Sequence, residues 1–409
     1  MMNNQYYKSE QGQAIVYLVL GIVVFFGFVA LAIDGGMALA DRRNSQNAAD
    51  SASLAGGGEA ARILEQAAPV CYKNWTCGDA GSAVAHADIA AKARATQNAF
   101  NLDNNLNDHN GVDTTCEDVN GKYIDVTVYI SATTQSNFLQ ILLPNALHNE
   151  VEAVTRVHPA QPIGIDAAVI GLNPGICNGQ DGVTVNGSGE TQVIGGGIFS
   201  NGCLQGNGAA GSAIVIGGTA EGHFISEGNL SWNPDPTQTT ETLQTSDFYI
   251  PPPTLDAHGN CIGGNNVNNL PNNLTPGLWC VKGNLNINKD MTGTGVTIYM
   301  KNGHLTYNGN ASVTLSAPTA SPNPAPAIPG VLFYIPNGTA LTLDGTSDDN
   351  FTGMIYAPKS DIQLTGNADN VFNGQVIGWN VKVGGTNNMV VNYDDCSGFV
   401  RQPYIELYR

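Results

Sequence analysis

Basic side chains are scarce in this chain. Its 409 residues carry 16 Lys and Arg against 34 Asp and Glu, a net charge of −18. That leaves no surface able to neutralise phosphates, so no nucleic-acid partner is expected. Charge of either sign is thin, at 12% of residues, against about a quarter in an ordinary soluble domain. Catalytic patterns are missing too. The cysteines form no Cys-x-x-Cys, and the 7 histidines are scattered without a His-Glu-x-x-His. No Gly-x-Ser-x-Gly elbow occurs. Gly206, Gly208 and Gly211 have the spacing of a dinucleotide loop, but strand-like "SAIVIGG" follows where that loop needs a helix. The chain is therefore read as non-enzymatic, with no cofactor. "DGTSDDN" leaves one calcium candidate, Asp344, Asp348 and Asp349, whose spacing departs from the EF-hand.

Glycine is plentiful, at 49 residues, and Asn and Thr accompany it. This composition suits short strands joined by tight turns. Eight cysteines, Cys71, Cys77, Cys116, Cys177, Cys203, Cys261, Cys280 and Cys396, all follow an apolar N-terminal run. An even number placed there points to disulfides in an oxidising compartment. The run, Ala14 to Ile33, is uncharged. As a helix it would cross roughly 30 Å of hydrocarbon. It is long for a cleaved secretory signal. A transmembrane anchor fits it, and so does a helix that is first membrane-inserted and later packed in a filament. Arg42 and Arg43 follow the run and only Lys8 precedes it, against the usual charge bias of an anchor whose C-terminal side faces outward.

"IDGGMALADRRNSQNAADSASLAGG" continues the run without a turn signal. Ala48, Ala52 and Ala55 recur at i, i+4 and i+7 and share one helix face. Small residues permit close helix–helix approach, so this face is expected to pack against copies of the same helix. A plain helical stalk is the competing reading. The helix is expected from about residue 11 to the glycines at 56–58, with "AARILEQAA" continuing it past a kink. Asp34–Gly36, the pair Arg42–Arg43, and Gln46–Asp50 after an apolar helix resemble the start of TadG-like proteins of the tight-adherence (Tad, or Flp) pilus system. The resemblance implies a pseudopilin-type, membrane-inserted component of a surface appendage. A candidate processing site follows Gly12. Cleavage there would put Tyr17 fifth in the mature chain, where type IV pilins carry a Glu, and Glu10 would be removed.

Four segments are expected: 1–69 as helix and stalk, 70–161 as a small α+β head, 162–396 as a mainly-β solenoid of parallel β-helix type, and 397–409 as a C-terminal tail. In the head, Ala83, Ile89, Ala90 and Ala93 form the stripe of a helix. Ile124, Val126, Val128 and Ile130 alternate in one strand, and Val151, Ala153 and Thr155 in another. "FLQILL" reads as a short helix or buried segment. This order also resembles the head of Tad-type minor pilins. In the solenoid, Phe351 and Phe372 begin matching segments 21 positions apart, and Gly197 and His223 begin segments 26 apart. "IYMKNGHLTYNG", "FYIPNGTALTLDG" and "IYAPKSDIQLTG" share one plan of strand, turn, strand and Gly. Such repeats suggest stacked coils, with an antiparallel sandwich as the alternative. Residues 232–256 and 317–329 read as long loops thrown out from coils.

The expected product is a structural, pilin-like subunit of an extracellular filament, or a large minor or tip subunit presenting the solenoid for adhesion. Its expected partners are copies of itself through the N-terminal helix, other pilus-assembly proteins, the membrane during assembly, and surface glycans. The alternatives are a membrane-anchored carbohydrate-active enzyme and a monomeric anchored binding module. Against the enzyme, basic residues inside the solenoid are few. A chain beginning near Val70 is expected to be soluble. Sequence-near disulfides close most cheaply: Cys177–Cys203, Cys261–Cys280 and Cys71–Cys77, with Cys116–Cys396 remaining. The alternative pairs Cys116 with Cys71 or Cys77, and the other of those two with Cys396.

Overall fold

The computed structural model describes residues 11–67, 70–135, 137–138, 147–164, 166–179, 181–208, 211–309, 311–319, 326–346, 348–366, 370–395 and 398–408. They form two compact units. One comprises Met1–Ala68, Trp75–Pro159 and Pro403–Arg409, and the other Pro69–Asn74 and Ala160–Gln402.

The first unit is the head. Helix α1 runs unbroken from Gln11 to Gln66, through all three glycines at 56–58. Its second half packs with α2 (Gly81–Gln97) on one face of an antiparallel sheet. The sheet is ordered β1 (Gly111–Glu117), β2 (Tyr123–Thr134), β3 (Leu147–His158) and then a C-terminal strand, Tyr404–Leu407. Ile124, Val126, Val128 and Ile130 are fully buried towards the helices, as period-two burial requires.

Glycine would normally weaken a helix interior. Here a Cβ on Gly56 would lie 2.8 Å from Val126 Cγ1 and 2.9 Å from the Ala87 carbonyl, and one on Gly57 would collide with Thr155. The glycines let the helix backbone sit against the sheet and α2, so no kink forms. In α2 the buried stripe is Ala83, Ala87, Ala91 and Ala95, while Ile89 is 65% exposed. The stripe expected through Ile89, Ala90 and Ala93 is thus rotated. Only alanine fits where α2 meets the glycine segment of α1, and that close contact outweighs the pull of one isoleucine. "FLQILL" lies outside the described residues, apart from Phe138. The end of the chain is not a tail: Tyr404 pairs with His158 and Leu407 with Thr155, closing the edge that β3 would otherwise expose.

The second unit is a parallel solenoid. The strands along its first face follow the order Thr237–Gln238, Ala220–Ser226, Gly197–Asn207, Ala167–Gly171, Val376–Gly385, Met354–Gly366, Val331–Tyr334, Val296–Met300, Gly277–Val281 and Asn265–Val267. A separate 9-stranded sheet forms another face. Within it Phe351 stacks on Phe372, the register the repeat implied. The 26-residue match does not hold, since Ile198 pairs with Ala220 and Cys203 with Phe224. A coil there takes 21 or 22 residues. The first coil is longer: Val169 pairs with Ile198, 198 − 169 = 29 positions on, because the chain is looped out between Ala167–Gly171 and Val183–Gly187.

The coil order is circularly permuted. The chain enters mid-stack at Ala167, climbs to Thr237–Gln238 at one end, and restarts at Asn265–Val267 at the other. It then winds back until Val376–Gly385 stacks on Ala167–Gly171. This makes topological sense. The solenoid is inserted between β3 and the C-terminal strand, which are hydrogen-bonded neighbours. An insertion in a hairpin must begin and end at adjacent points, and Gln161–Pro162 does pair with Val400–Arg401. An unpermuted solenoid would place its ends at opposite poles.

Permutation requires a strap that returns along the stack. Nine strand spacings are about 43 Å, well within the reach of the segment from 239 to 264 at about 3.3 Å per residue. This strap lies on the outside of the first face. Leu243, Phe248, Ile250 and Cys261 pack over Phe199, Ile170, Ile377, Tyr356, Tyr334, Tyr299 and Cys280. Asn201 is buried and grips Leu243 twice: Nδ2 donates to its carbonyl at 2.7 Å and Oδ1 accepts from its amide at 2.8 Å. Tyr334 donates to the Ile250 carbonyl at 2.7 Å. So the loop expected at 232–256 is instead two strand fragments and a fitted strap, held because the outward side of this face is apolar. Of the loop expected at 317–329, residues 320–325 lie outside the described set, and its base is closed by the Gly330 amide donating to the Pro318 carbonyl.

Cys261 at the end of the strap is bonded to Cys280 on the outer side of the first face. Replacing both by serine is expected to lower solenoid stability by about 2–4 kcal/mol, read by denaturant unfolding. An unchanged midpoint would show that the strap needs no tether.

Candidate functional site

The two halves of α1 live in different surroundings. From Ile15 to Ile33 its apolar side chains face outward, Phe25 at 64% and Phe28 at 67%, with Ala30 half-buried. Nothing among the described residues covers this stretch, which is long and apolar enough to cross a membrane. From Asp34 onward the helix belongs to the head. Asp34 is fully buried, and its carboxylate accepts from the Asn137 and Phe138 amides at 3.0 Å each. Its charge is thereby met by two backbone donors at the point where the exposed apolar segment ends. Farther along, Gln46 donates to Asp50 at 2.8 Å and to the Glu152 carbonyl at 3.2 Å, and Thr155 donates to Ser53 at 3.0 Å.

The alanine face expected to meet other copies is spent inside the molecule. Ala48 is 3% exposed and Ala52 fully buried against the head sheet and α2, while Ala55 is half-buried. The face is small because the chain's own sheet comes close to it. The exposed side of the same stretch carries Met37, Leu39 and Leu54, with Arg42 and Arg43. Gly12 lies in the first turn of α1, and residues 1–10 are outside the described set.

The outer face of the head sheet is polar. Arg156 reaches Asp125 through Nε and Nη2 at 2.8 Å each, and its guanidinium lies between the rings of Tyr123 (3.7 Å) and Tyr408 (3.8 Å). The Asp125 hydrogen bonds hold the guanidinium protonated even more firmly than usual, against some loss of hydration.

On the solenoid the three acidic calcium candidates do not converge. Asp349 is buried and its carboxylate is already used. Oδ1 accepts from the Val313 amide at 2.8 Å, and Oδ2 from Tyr307 at 2.7 Å and the Thr346 amide at 2.6 Å. Asp348 is exposed. Asp344 accepts from Thr365, in a shallow polar recess with Gln363 and Asn186, where burial raises its carboxyl. Turn geometry explains the cluster better than a cation does. Among the described residues, Cys71, Asp394 and Asp395 bring three ligand-type atoms together, but the Cys71 sulfur is in a disulfide.

Cys77 is bonded to Cys116. This corrects the expected Cys71–Cys77 pair and removes Cys116 from the expected bond to Cys396. Cys77 is drawn to β1 because its amide donates to Asp118 at 2.7 Å, just past the strand end that carries Cys116. The partner of Cys71 lies outside the described residues, as does Cys396. Cys177 is bonded to Cys203 on the neighbouring coil.

Sequence reasoning missed the outward ladder of a further face, where Leu285–Ile287, Asn302–Tyr307, Asn337–Gly345 and the later parts of Met354–Gly366 and Val376–Gly385 pair as a branch of the 14-stranded sheet. Asn286, Thr306, Thr342, Gln363 and Lys382 stand beside one another on successive coils. All are exposed or half-exposed. The alternation in "LNI", "LTY", "LTL", "IQL" and "VKV" was the available signal.

Residues 12–62 match the family model described as putative Flp pilus-assembly TadE/G-like, and residues 277–396 match a domain of unknown function (DUF7305). No curated protein and no solved structure matches the chain. The first match covers the exposed apolar segment and most of the packed part of α1, and it supports a pilus-associated structural role. The second covers much of the solenoid run that follows the strap.

Proposed function

We propose that this is a pilin-like subunit, or a large minor or tip subunit, of a Tad-type surface appendage, and that it is a non-enzymatic structural protein. One observation carries this reading. One unbroken helix has its second half locked into a folded head, while no described residue covers its first half. An apolar surface of that size is stable only in lipid or against other apolar helices. The first half therefore holds the subunit in the membrane before assembly, and then packs with neighbouring pilus components. The exposed Leu39 and Leu54 side of α1, rather than the alanine face, is left for those contacts. The solenoid is the presented body. Its flat row of hydroxyl, amide and ammonium groups suits hydrogen bonding to surface glycans.

The test is where the protein goes. The full chain is expected in membranes and in filaments sheared from the cell surface. A chain beginning at Asp34 should be soluble, monomeric and fully folded. Filaments formed by that shortened chain would overturn the reading. A chain beginning at Val70, expected soluble on sequence grounds, should instead aggregate. It lacks Ala48, Ala49, Ala52 and Ala60 from the head core and leaves Val126 and Val157 uncovered.

A further inference from the structure

The turn between β1 and β2 carries the most exposed large apolar side chain among the described residues, Val119 at 83%. Even the membrane-length segment has none above 69%. Hydrogen bonds hold the turn in shape. Glu117 Oε1 accepts from the Val119 amide at 2.9 Å and the Asn120 amide at 3.0 Å. The Asn120 and Val119 amides keep its carboxyl below the usual range, so it stays charged. Asp118 accepts from the Cys77 amide, and the one basic group of the turn, Lys122, donates to the Trp75 carbonyl at 2.8 Å. Val119 thus stands out as an apolar knob beside two carboxylates.

The head also has an open groove of about 550 Å³ along the seam between α1 and α2. Leu54 and Ala55 of α1 and Ala90, Ala93, Arg94 and Gln97 of α2 line it. Alanines on both helices leave open a seam that larger side chains would fill. Ile89, exposed without an apparent reason within the head, stands one turn before Ala93 on the same face of α2. Lys92 is paired with Asp88 and Arg62 with Glu59. Arg94 donates to Gln97 at 3.2 Å but has no carboxylate partner among the described residues. The groove is therefore complementary to an apolar side chain with negative charge beside it.

We propose that the Val119 turn of one copy seats in the α1–α2 groove of a second copy of this chain, with Glu117 and Asp118 facing Arg94. The contact rests on the filament-forming role proposed above and names the surfaces that meet. Their placement along the head suits it. Thr155 donates to Ser53 of α1, and a Cβ on Gly57 would touch Thr155 and come within 3.5 Å of Val157, which pairs with Ile124 at the foot of the turn. The turn therefore projects past the level of Gly57, towards the C-terminal end of α1, whereas the groove begins nearer the membrane-length segment. Two copies joined this way are offset along the helix axis. Because the two surfaces differ, each copy keeps a turn or a groove for a further neighbour, and repetition gives a head-to-tail series rather than a closed pair.

The experiment uses two full-length chains made together, one carrying Val119→Cys and the other Ala93→Cys, with different tags. Among the described residues no native cysteine is free, so a short bismaleimide addresses the introduced thiols. A cross-linked heterodimer is expected in membranes and in sheared filaments. None is expected when Thr133→Cys, exposed at the opposite end of β2, takes the place of Val119→Cys. Arg94→Glu in the groove chain should lower the yield by more than about tenfold, because like charges brought together across an interface are strongly unfavourable. Arg94 and Val119 are exposed, so the variants should melt like the parent chain. Filaments that form without the cross-link, or thiols that couple only to other proteins, would overturn the contact. The cross-link in membranes without filaments would uphold the contact and sink the filament role instead. Absence of both would dispose of the two together.

Discussion

Ala52→Arg should unfold the head. Ala52 has no exposed surface and sits where α1 meets the sheet and α2. Neighbouring Gly56 leaves no room even for a methyl group beside Val126. An arginine there must push the helix off the sheet and carry an unpaired cation into an interface of Ala, Val and Ile. Overpacking and a buried unpaired charge each belong to the most damaging changes known. Together they should cost on the order of 4 kcal/mol or more, most of what a typical domain possesses. Denaturant unfolding and protease digestion of a chain beginning at Asp34 would measure it. Leu54→Arg is the control. Leu54 is 38% exposed on the other side of the same helix, so the head should stay folded and any loss of filaments would report on assembly alone. A stable Ala52→Arg head would mean that α1 is not part of the head core.

Phe248→Ala should loosen the solenoid without touching the head. Phe248 belongs to the strap and is fully buried against the first face, among Ile163, Ile170 and their neighbours. Truncating a buried phenylalanine costs about 3–5 kcal/mol. For a unit of this size that lowers the melting temperature by about 6–20 °C. Loss of the Cys261–Cys280 tether in the same chain should couple with it, because both hold one segment. The solenoid transition in calorimetry is the readout. A shift below about 1 kcal/mol would show that the strap merely rests on the coils.

Several features were legible because they depend on local chemistry alone. Unbroken apolarity from Ala14 to Ile33 requires a helix with a non-aqueous environment, whatever follows. The alternation of Ile124, Val126, Val128 and Ile130 determines which side of β2 is buried. The Phe351 and Phe372 repeat determines a coil length, since identical positions in stacked coils must pair. The resemblance of Asp34–Gly36, Arg42–Arg43 and Gln46–Asp50 to the TadG-like pattern likewise needs only sequence, and the family match over residues 12–62 agrees with it.

What the alanine face packs against was not legible. Small residues announce a close approach, but they do not say whether the approaching surface is another copy or the chain's own sheet. Nor was the strap. Its clue lay in the first-face strands: "VTIYM", "VLFY" and "MIYA" are apolar apart from Thr297, the mark of burial on both sides, whereas the branch segments "LTL" and "VKV" alternate. The covering residues come from a segment, 239–264, whose prolines and threonines look like a free loop. The sequence by itself determined that there is a membrane-length helix, a small mixed head and a stack of coils. Only the tertiary structure decided the coil order, the returning strap and the capture of the last strand by the head. Those depend on which ends must meet when one unit is inserted between two adjacent strands of another, and that is a constraint on chain closure that no local pattern of residues encodes.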